Sequence, residues 1–167
     1  LCLHLGNWEV LASAMQMIGV PIASISEIPD NAAHRDIADA TRGGFDVNVL
    51  APDRNGLRRA LSILAGNGVL AIFPDEKRGD TMMAPLFGRP PHLKGNLALA
   101  AKLARRSGAQ LVVVYCERIM ETRFRLHFEG PFYMDPAQTD PLADVAYLNG
   151  RIEPAILRHL DQWYYLD

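Results

Sequence analysis

The chain has 167 residues, of which 49% are hydrophobic and 22% are charged, and its mean hydropathy is near zero. These proportions are typical of a folded globular domain, which at this size buries roughly 70% of its unfolded surface. A net charge of −2 argues against nucleic-acid binding through bulk positive charge. The two cysteines, Cys2 and Cys116, lie far apart in sequence, which argues against a disulfide framework and favours a reducing compartment.

Apolar periodicity predicts strands and helices in alternation along the chain. Strands are expected over residues 1–4, 21–26, 45–50, 69–73, 110–116 and 123–129. Residues 69–73 are continuously apolar, as expected of a strand buried on both faces, and residues 123–129 alternate strictly, with Phe124, Leu126 and Phe128 on one face. Helices are expected up to about residue 18 and over about 30–40, 53–65, 94–107 and 142–163, with a long loop over 74–93. Asp53 is suited to cap the helix that follows it, and Gly108 is expected to end the helix over 94–107. The longest stretch without charged side chains, residues 10–26, is broken by Gly19 and Pro21, so no membrane span is predicted.

This alternation predicts an α/β fold with a mostly parallel sheet flanked by helices, in a single domain over residues 1–167. Binding sites in such sheets form at the carboxyl ends of strands, where His4, Asp75 and the region of Asn48 are expected. The first residues enter a strand directly and carry no basic segment, so we expect no signal peptide among them. We therefore expect the amino-terminal part of the domain to be missing from this chain.

His4 and Glu9 are the first candidate catalytic residues, and five positions separate them. Their side chains can meet only if the chain turns between them, and Gly6-Asn7 supplies turn residues, with Asn7 also suited to cap a helix. Glu9 would then accept a hydrogen bond from one ring nitrogen of His4, and the other nitrogen would act as a base. Backbone N–H groups at the start of the helix would stabilise an oxyanion. The spacing alone equally suits a buried histidine beside a glutamate that the helix dipole stabilises.

The stretch His-Leu-Gly-Asn-Trp-Glu resembles the H-x4-E active-site motif of the lauroyl and myristoyl acyltransferases of lipid A biosynthesis. A related branch of that family acylates phosphatidylinositol mannosides. The resemblance continues in order along the whole chain, through the apolar strand that ends in Asp75, the segment Pro-Leu-Phe-Gly-Arg-Pro at 85–90, the block Ser-Gly-Ala at 107–109, and Gln162-Trp163. The first block is specific, whereas the later blocks are significant as an ordered set.

The resemblance implies a glycerolipid-acyltransferase-like fold and transfer of an acyl group from a carrier-protein or CoA thioester to a glycolipid hydroxyl. His4 would be the general base and Glu9 its partner. Candidate substrate-binding residues are Arg42, which suits a phosphate, Asp75 at its strand end, Asn7 and Arg89. No cofactor beyond the acyl donor is expected. The family resemblance places the protein at the cytoplasmic face of the bacterial inner membrane, peripheral or anchored by a segment outside this chain.

Two departures from the family pattern leave other functions open. Asp75 is followed by Glu-Lys-Arg-Gly, and the terminal block lacks the usual Pro-Glu and basic tail. The alternatives are an acyltransferase with another acceptor, such as a mannoside, a glycerophosphate or an aminolipid, a non-catalytic lipid-binding relative, and a thioesterase-like hydrolase. The remaining histidines, at 34, 92, 127 and 159, show no metal-ligand spacing, so no metal site is predicted.

A basic segment over residues 77–106 contains one acidic residue, Asp80, and the seven cations Lys77, Arg78, Arg89, Lys94, Lys102, Arg105 and Arg106. Met82-Met83 and Leu86-Phe87 add apolar side chains to it. This combination favours docking to an anionic membrane surface or to an acidic acyl carrier protein. A solvated helix face beside a loop with inward-pointing apolar residues would have the same composition.

Overall fold

The computed structural model describes residues 1–25 and 47–166, which form two compact units. The first unit combines Leu1–Trp8 with residues 72–166, and the second is Glu9–Ala71 without its undescribed part. The predicted helix over 30–40 and Arg42 lie outside the described residues. The prediction of a single domain stays a prediction.

The second unit is built on a parallel three-stranded sheet, as the alternation of strands and helices predicts. Its strands are β1 (Ile22–Ile25), β2 (Val47–Leu50) and β3 (Val69–Ala71), in the order β2-β1-β3. Ile22 is opposite both Val47 and Val69. Val69 is 40% exposed, so β3 is not buried on both faces as its apolar sequence suggested.

The described part of the second unit also contains two helices, α1 (Val10–Met17) and α2 (Arg54–Ala65). Asp53 caps α2 as predicted, because its side chain accepts a hydrogen bond from the Gly56 N–H at 2.7 Å. α1 begins at Val10, with Glu9 in the cap position and no side-chain cap. The prediction that Asn7 caps this helix was wrong, because the turn that follows Gly6 occupies Asn7, Trp8 and Glu9 before the first helical residue.

In the first unit, the opening run of the chain is paired on both sides. Cys2 N–H donates to the Ile72 carbonyl, and Leu3 N–H donates to the Val114 carbonyl. The bridge between Cys2 and Val114 is parallel. Leu3 and Leu5 are completely buried, so the apolar sequence of this run is explained by its central position in the unit.

Antiparallel pairing, which the sequence analysis did not predict, also shapes the first unit. A long hairpin joins β6 (Leu111–Met120) to β7 (Arg123–Phe132). A short hairpin, β4 (Lys77–Arg78) with β5 (Thr81–Met82), lies within the predicted loop. The strict alternation of β7 predicted one buried face, yet Phe128 on that face is 51% exposed. The fold is therefore mixed α/β, with parallel and antiparallel parts.

The helices α3 (Gly95–Ser107) and α4 (Pro141–Arg158) pack against each other in the first unit. Apolar positions at helical spacing form the contact, and the ion pair between Arg105 and the buried Asp144 spans it. α4 ends earlier than predicted, and a short 3-10 helix (Leu160–Gln162) follows it. No helix in the described ranges is both long and apolar enough to span a bilayer.

Candidate active site

His4 and Asp75 form the centre of the candidate site. His4 Nδ1 lies 2.9 Å from Asp75 Oδ1, and the His4 backbone N–H donates to Asp75 Oδ2, also at 2.9 Å. A carboxylate is an acceptor, so this contact keeps the ring proton on Nδ1. Nε2 is then the basic nitrogen, and no described residue of the first unit donates to it or accepts from it. The His4 side chain is 15% exposed and Asp75 is completely buried.

The pairing follows from the strand neighbours. Cys2 is hydrogen-bonded to Ile72, so the opening run and the run leading to Asp75 lie side by side. His4 is two residues beyond Cys2, and Asp75 is three beyond Ile72. Both residues therefore reach the same end of the two runs, as sites in parallel sheets do.

Trp163 supplies the third donor to the Asp75 carboxylate. Its indole Nε1–H donates to Asp75 Oδ2 at 3.0 Å, and the side chain is almost fully buried. The segment around Trp163 is held against the opening run, because Gly6 N–H donates to the Gln162 carbonyl and Tyr164 N–H donates to the His4 carbonyl. Three hydrogen-bond donors therefore compensate the desolvation of the buried carboxylate beside the imidazole.

Aromatic rings surround the His4 imidazole within the same unit. The ring centroid of Phe73 is 4.5 Å away, that of Tyr165 is 5.2 Å away and that of Trp8 is 5.3 Å away. Burial, followed by the negative charge of Asp75, raises the pKa of Tyr165, so its hydroxyl stays protonated at neutral pH. This environment is largely apolar, which suits a hydrocarbon chain near the base.

A glycine turn directs the chain away after His4. Gly6 has a φ of +56°, and a Cβ atom at this position would lie 2.4 Å from the Cys116 carbonyl oxygen. Only glycine tolerates this backbone and this close approach. The positive φ at Gly6 confirms the predicted turn at Gly6-Asn7. Beside this turn, burial raises the pKa of the Cys116 thiol, and a hydrogen bond from the Asn7 backbone N–H opposes that rise.

The protein-family comparison assigns this arrangement to a known group. The model of the bacterial lipid A biosynthesis acyltransferases matches residues 1–167. The chain belongs to this family. The resemblance noted from the opening motif and the later blocks is therefore confirmed over the whole sequence. A search of curated proteins found no match.

In this acyltransferase, the carboxylate that meets the His4 ring is Asp75, whereas the sequence predicted Glu9 for that position. The physical reason is that Asp75 ends the run that lies beside the opening run, so its carboxylate reaches the His4 ring within the first unit. The assignment of Glu9 as a catalytic residue stays a prediction, as does an oxyanion site at the start of α1. Asp75 itself was predicted as a substrate-binding residue, and its partners are His4 and Trp163.

Among the described residues, neither Arg89 nor Asn7 forms a side-chain hydrogen bond or an ion pair with His4 or Asp75. Arg89 is exposed, and its Nη1 donates to the Leu86 carbonyl of its own turn at 3.5 Å. Asn7 is half-buried beside Cys116. Arg42 lies outside the described residues. Roles for all three in substrate binding stay predictions.

Sequence reasoning missed the part played by Trp163. Gln162-Trp163 was noticed only as a block resembling the end of the family pattern, and no local signal indicates that the indole reaches a residue 88 positions earlier. Sequence reasoning also missed a second cluster, made of Glu117, His127 and His159, whose ligand atoms lie within 4.8 Å of one another. Its members come from three different elements, so no fixed spacing marks them.

Proposed function

We propose that this family member transfers a fatty acyl group from the thioester of an acyl carrier protein, or of CoA, to a hydroxyl of a lipid A precursor or related glycolipid. His4 is the general base in this proposal. The observation that carries it is the contact between His4 Nδ1 and the buried Asp75 carboxylate, which leaves Nε2 as the basic nitrogen. An activated hydroxyl is what acyl transfer to oxygen requires.

The reaction then proceeds by two proton transfers through one ring nitrogen. Nε2 removes the proton of the acceptor hydroxyl as its oxygen attacks the thioester carbonyl carbon. The imidazolium that forms is stabilised by the Asp75 carboxylate, whose Oδ1 lies 2.9 Å from Nδ1. When the tetrahedral intermediate collapses, the carbon–sulfur bond breaks, and Nε2 returns its proton to the leaving thiolate. The products are an ester and a free carrier thiol.

An assay with acyl carrier thioester and a lipid A precursor tests the proposal. We expect His4→Ala to lower the transfer rate by about 10²- to 10⁴-fold, the usual contribution of a general base. Tyr133→Ala is the control, because Tyr133 is an exposed ring outside residues 77–106. Full activity of a folded His4→Ala protein would contradict the mechanism. Free fatty acid in place of acyl-lipid would identify a hydrolase, and products from other acceptors would redefine the glycolipid.

We also propose that the basic segment, residues 77–106, docks the protein on the anionic cytoplasmic face of the inner membrane and near the acyl carrier protein. Two exposed side chains of the segment support this, whereas ion pairs and burial occupy others. Phe87 is 41% exposed and Lys102 is exposed on α3. Two cations of the segment are engaged in ion pairs, Arg78 with Glu76 and Arg105 with Asp144. Leu86 is buried, so only part of the apolar set faces solvent.

Sedimentation with vesicles that contain anionic phospholipid measures this docking. Lys102→Ala should weaken vesicle binding about fivefold at low salt, since one cation near such a surface contributes about 1 kcal/mol. Tyr133→Ala, at an exposed aromatic residue outside the segment, is the control. Binding that is insensitive to both Lys102→Ala and salt would contradict the membrane part of the proposal. A loss confined to carrier-protein binding would assign the segment to the carrier.

A further inference from the structure

The cluster of Glu117, His127 and His159 lies in the first unit and contributes nothing to the mechanism above. Glu117 is on β6 and His127 is on β7, where the register places Arg125 opposite Glu117 and Tyr115 opposite His127. The two side chains are therefore diagonal neighbours across the hairpin. His159 follows directly after α4 and turns its ring to within 5.8 Å of the His127 ring, measured between centroids.

The ligand atoms already lie close to the arrangement that a metal ion needs. All three lie within 4.8 Å of one another, and His127 Nε2 lies 2.8 Å from Glu117 Oε2. Three atoms this close are all within about 2.8 Å of a common centre, whereas zinc bonds to nitrogen and oxygen are about 2.0–2.2 Å long. Each ligand atom must therefore approach by less than about 1 Å.

The surrounding residues hold the histidine ring in place. Tyr115 stacks on His127 with ring centroids 4.6 Å apart and planes only 8° apart. The Tyr115 hydroxyl donates to Glu129 Oε1 at 2.8 Å, which fixes the ring that His127 stacks on. Such support around a ligand preserves its orientation when a metal binds.

One cation opposes metal binding, and it is free to move. Arg125 Nη1 lies 3.6 Å from Glu117 Oε2, but the Arg125 side chain is 60% exposed. An exposed ion pair of this kind contributes little, so the guanidinium can leave for water. The ligand side chains of Glu117 and His127 are 22% and 26% exposed, which gives an ion a path from solvent.

We propose that Glu117, His127 and His159 bind one zinc ion, with water as the fourth ligand. Two imidazoles, one carboxylate and an open fourth position form a common zinc coordination set. On binding, the hydrogen bond between His127 and Glu117 is replaced by two bonds to the metal, and the His127 proton resides on Nδ1. The ion joins the β6–β7 hairpin to the end of α4, four residues before Trp163.

Calorimetric titration of the EDTA-treated chain with zinc chloride at pH 7.5 tests this site. We expect one zinc ion per chain and a dissociation constant in the micromolar range or below. Glu117→Gln, which retains the shape of the side chain, and His127→Ala should each weaken binding by at least about tenfold. His92→Ala is the matched control, because it removes a histidine outside the cluster. Zinc should also raise the melting temperature of the parent chain and leave that of His127→Ala unchanged.

Cobalt(II) gives a second measurement that needs no variant. Bound in a four-coordinate site, it should produce visible absorption bands that zinc displaces at one equivalent. Absence of saturable zinc binding, or zinc binding that both Glu117→Gln and His127→Ala retain, overturns the proposal. If either variant fails to fold, as circular dichroism would show, the cobalt spectrum of the parent chain decides. None of these readouts depends on acyl transfer.

Discussion

Two histidine–carboxylate pairs lie in the first unit, and they differ in how the protein surrounds them. The Asp75 carboxylate is completely buried and receives three hydrogen bonds, from His4 twice and from Trp163 once. The Glu117 carboxylate is 22% exposed and meets a histidine, a second histidine nearby and an arginine. The ring nitrogen that contacts the carboxylate also differs between the pairs: it is Nδ1 in His4 and Nε2 in His127.

These differences suit the first pair to the proposed role of a general base and the second pair to the proposed role of metal ligands. A buried carboxylate on Nδ1 fixes the tautomer and stabilises the imidazolium, which leaves Nε2 to act on a substrate. The Glu117 carboxylate is only partly exposed and lies against Nε2 of His127, with the His159 imidazole nearby. Several lone pairs can therefore point to one position, which suits a metal ion. In the two proposals, burial and the nitrogen engaged direct the same pair of residue types to two chemistries.

The largest expected effect comes from Asp75→Asn. The amide would place an N–H donor against His4 Nδ1, and the favoured tautomer would then carry its proton on Nε2, where no base remains. We expect the transfer rate to fall by about 10²- to 10⁴-fold. Combining Asp75→Asn with His4→Ala should add almost nothing to the loss from His4→Ala alone, because the two residues act as a unit.

Glu9→Gln is the matched control for the carboxylate assignment. The sequence predicted Glu9 as the partner of His4, and the contact to Nδ1 is made by Asp75. We expect a smaller loss of transfer rate from Glu9→Gln than from Asp75→Asn, because the His4 tautomer is unchanged. If Glu9→Gln lowered the transfer rate more, and Asp75→Asn left it near the parent rate, Glu9 would be the functional partner of His4.

An intermediate effect is expected from Trp163→Phe. The ring remains apolar, but one of three hydrogen bonds to the Asp75 carboxylate disappears. Loss of a hydrogen bond to a charged group costs about 1.5–3 kcal/mol, so the transfer rate, the stability or both should fall accordingly. Steady-state kinetics together with urea unfolding separates the two. Phe87→Leu changes a ring packed on Trp163, at a centroid distance of 5.6 Å, and removes no hydrogen bond. An equal loss of stability from Phe87→Leu in urea unfolding would show that packing, not the indole donor, matters.

The smallest effect is expected from Tyr115→Phe, next to the second pair. Tyr115 is 2% exposed, and its hydroxyl donates to Glu129 and accepts from Arg158. Removing the hydroxyl should lower the free energy of unfolding by about 1 kcal/mol, measured by urea denaturation. The rate of acyl transfer should stay near that of the parent chain. A fall in rate as large as that of Trp163→Phe would mean that the two regions are coupled.

Local sequence patterns predicted several elements correctly because their causes are local. Asp53 caps α2 through a residue three positions later, and Gly108 ends α3 in the left-handed conformation that glycine favours. The turn at Gly6-Asn7 is local in the same sense. The predicted limits of two elements were less accurate. β6 is longer than predicted because it pairs with β7, and α4 is shorter because the Trp163 segment packs against the opening run.

The order of motifs in the sequence determined the family and placed His4 at a strand end, because those signals are contained in short stretches of chain. Only the tertiary structure decided which carboxylate meets His4, since Asp75 is 71 positions away in sequence. It also decided that Trp163, a further 88 positions from Asp75, donates to that carboxylate. The same is true of Glu117, His127 and His159, which come together through a hairpin and a helix end. Contacts of this kind depend on strand order and packing, which periodicity and spacing along the chain do not specify.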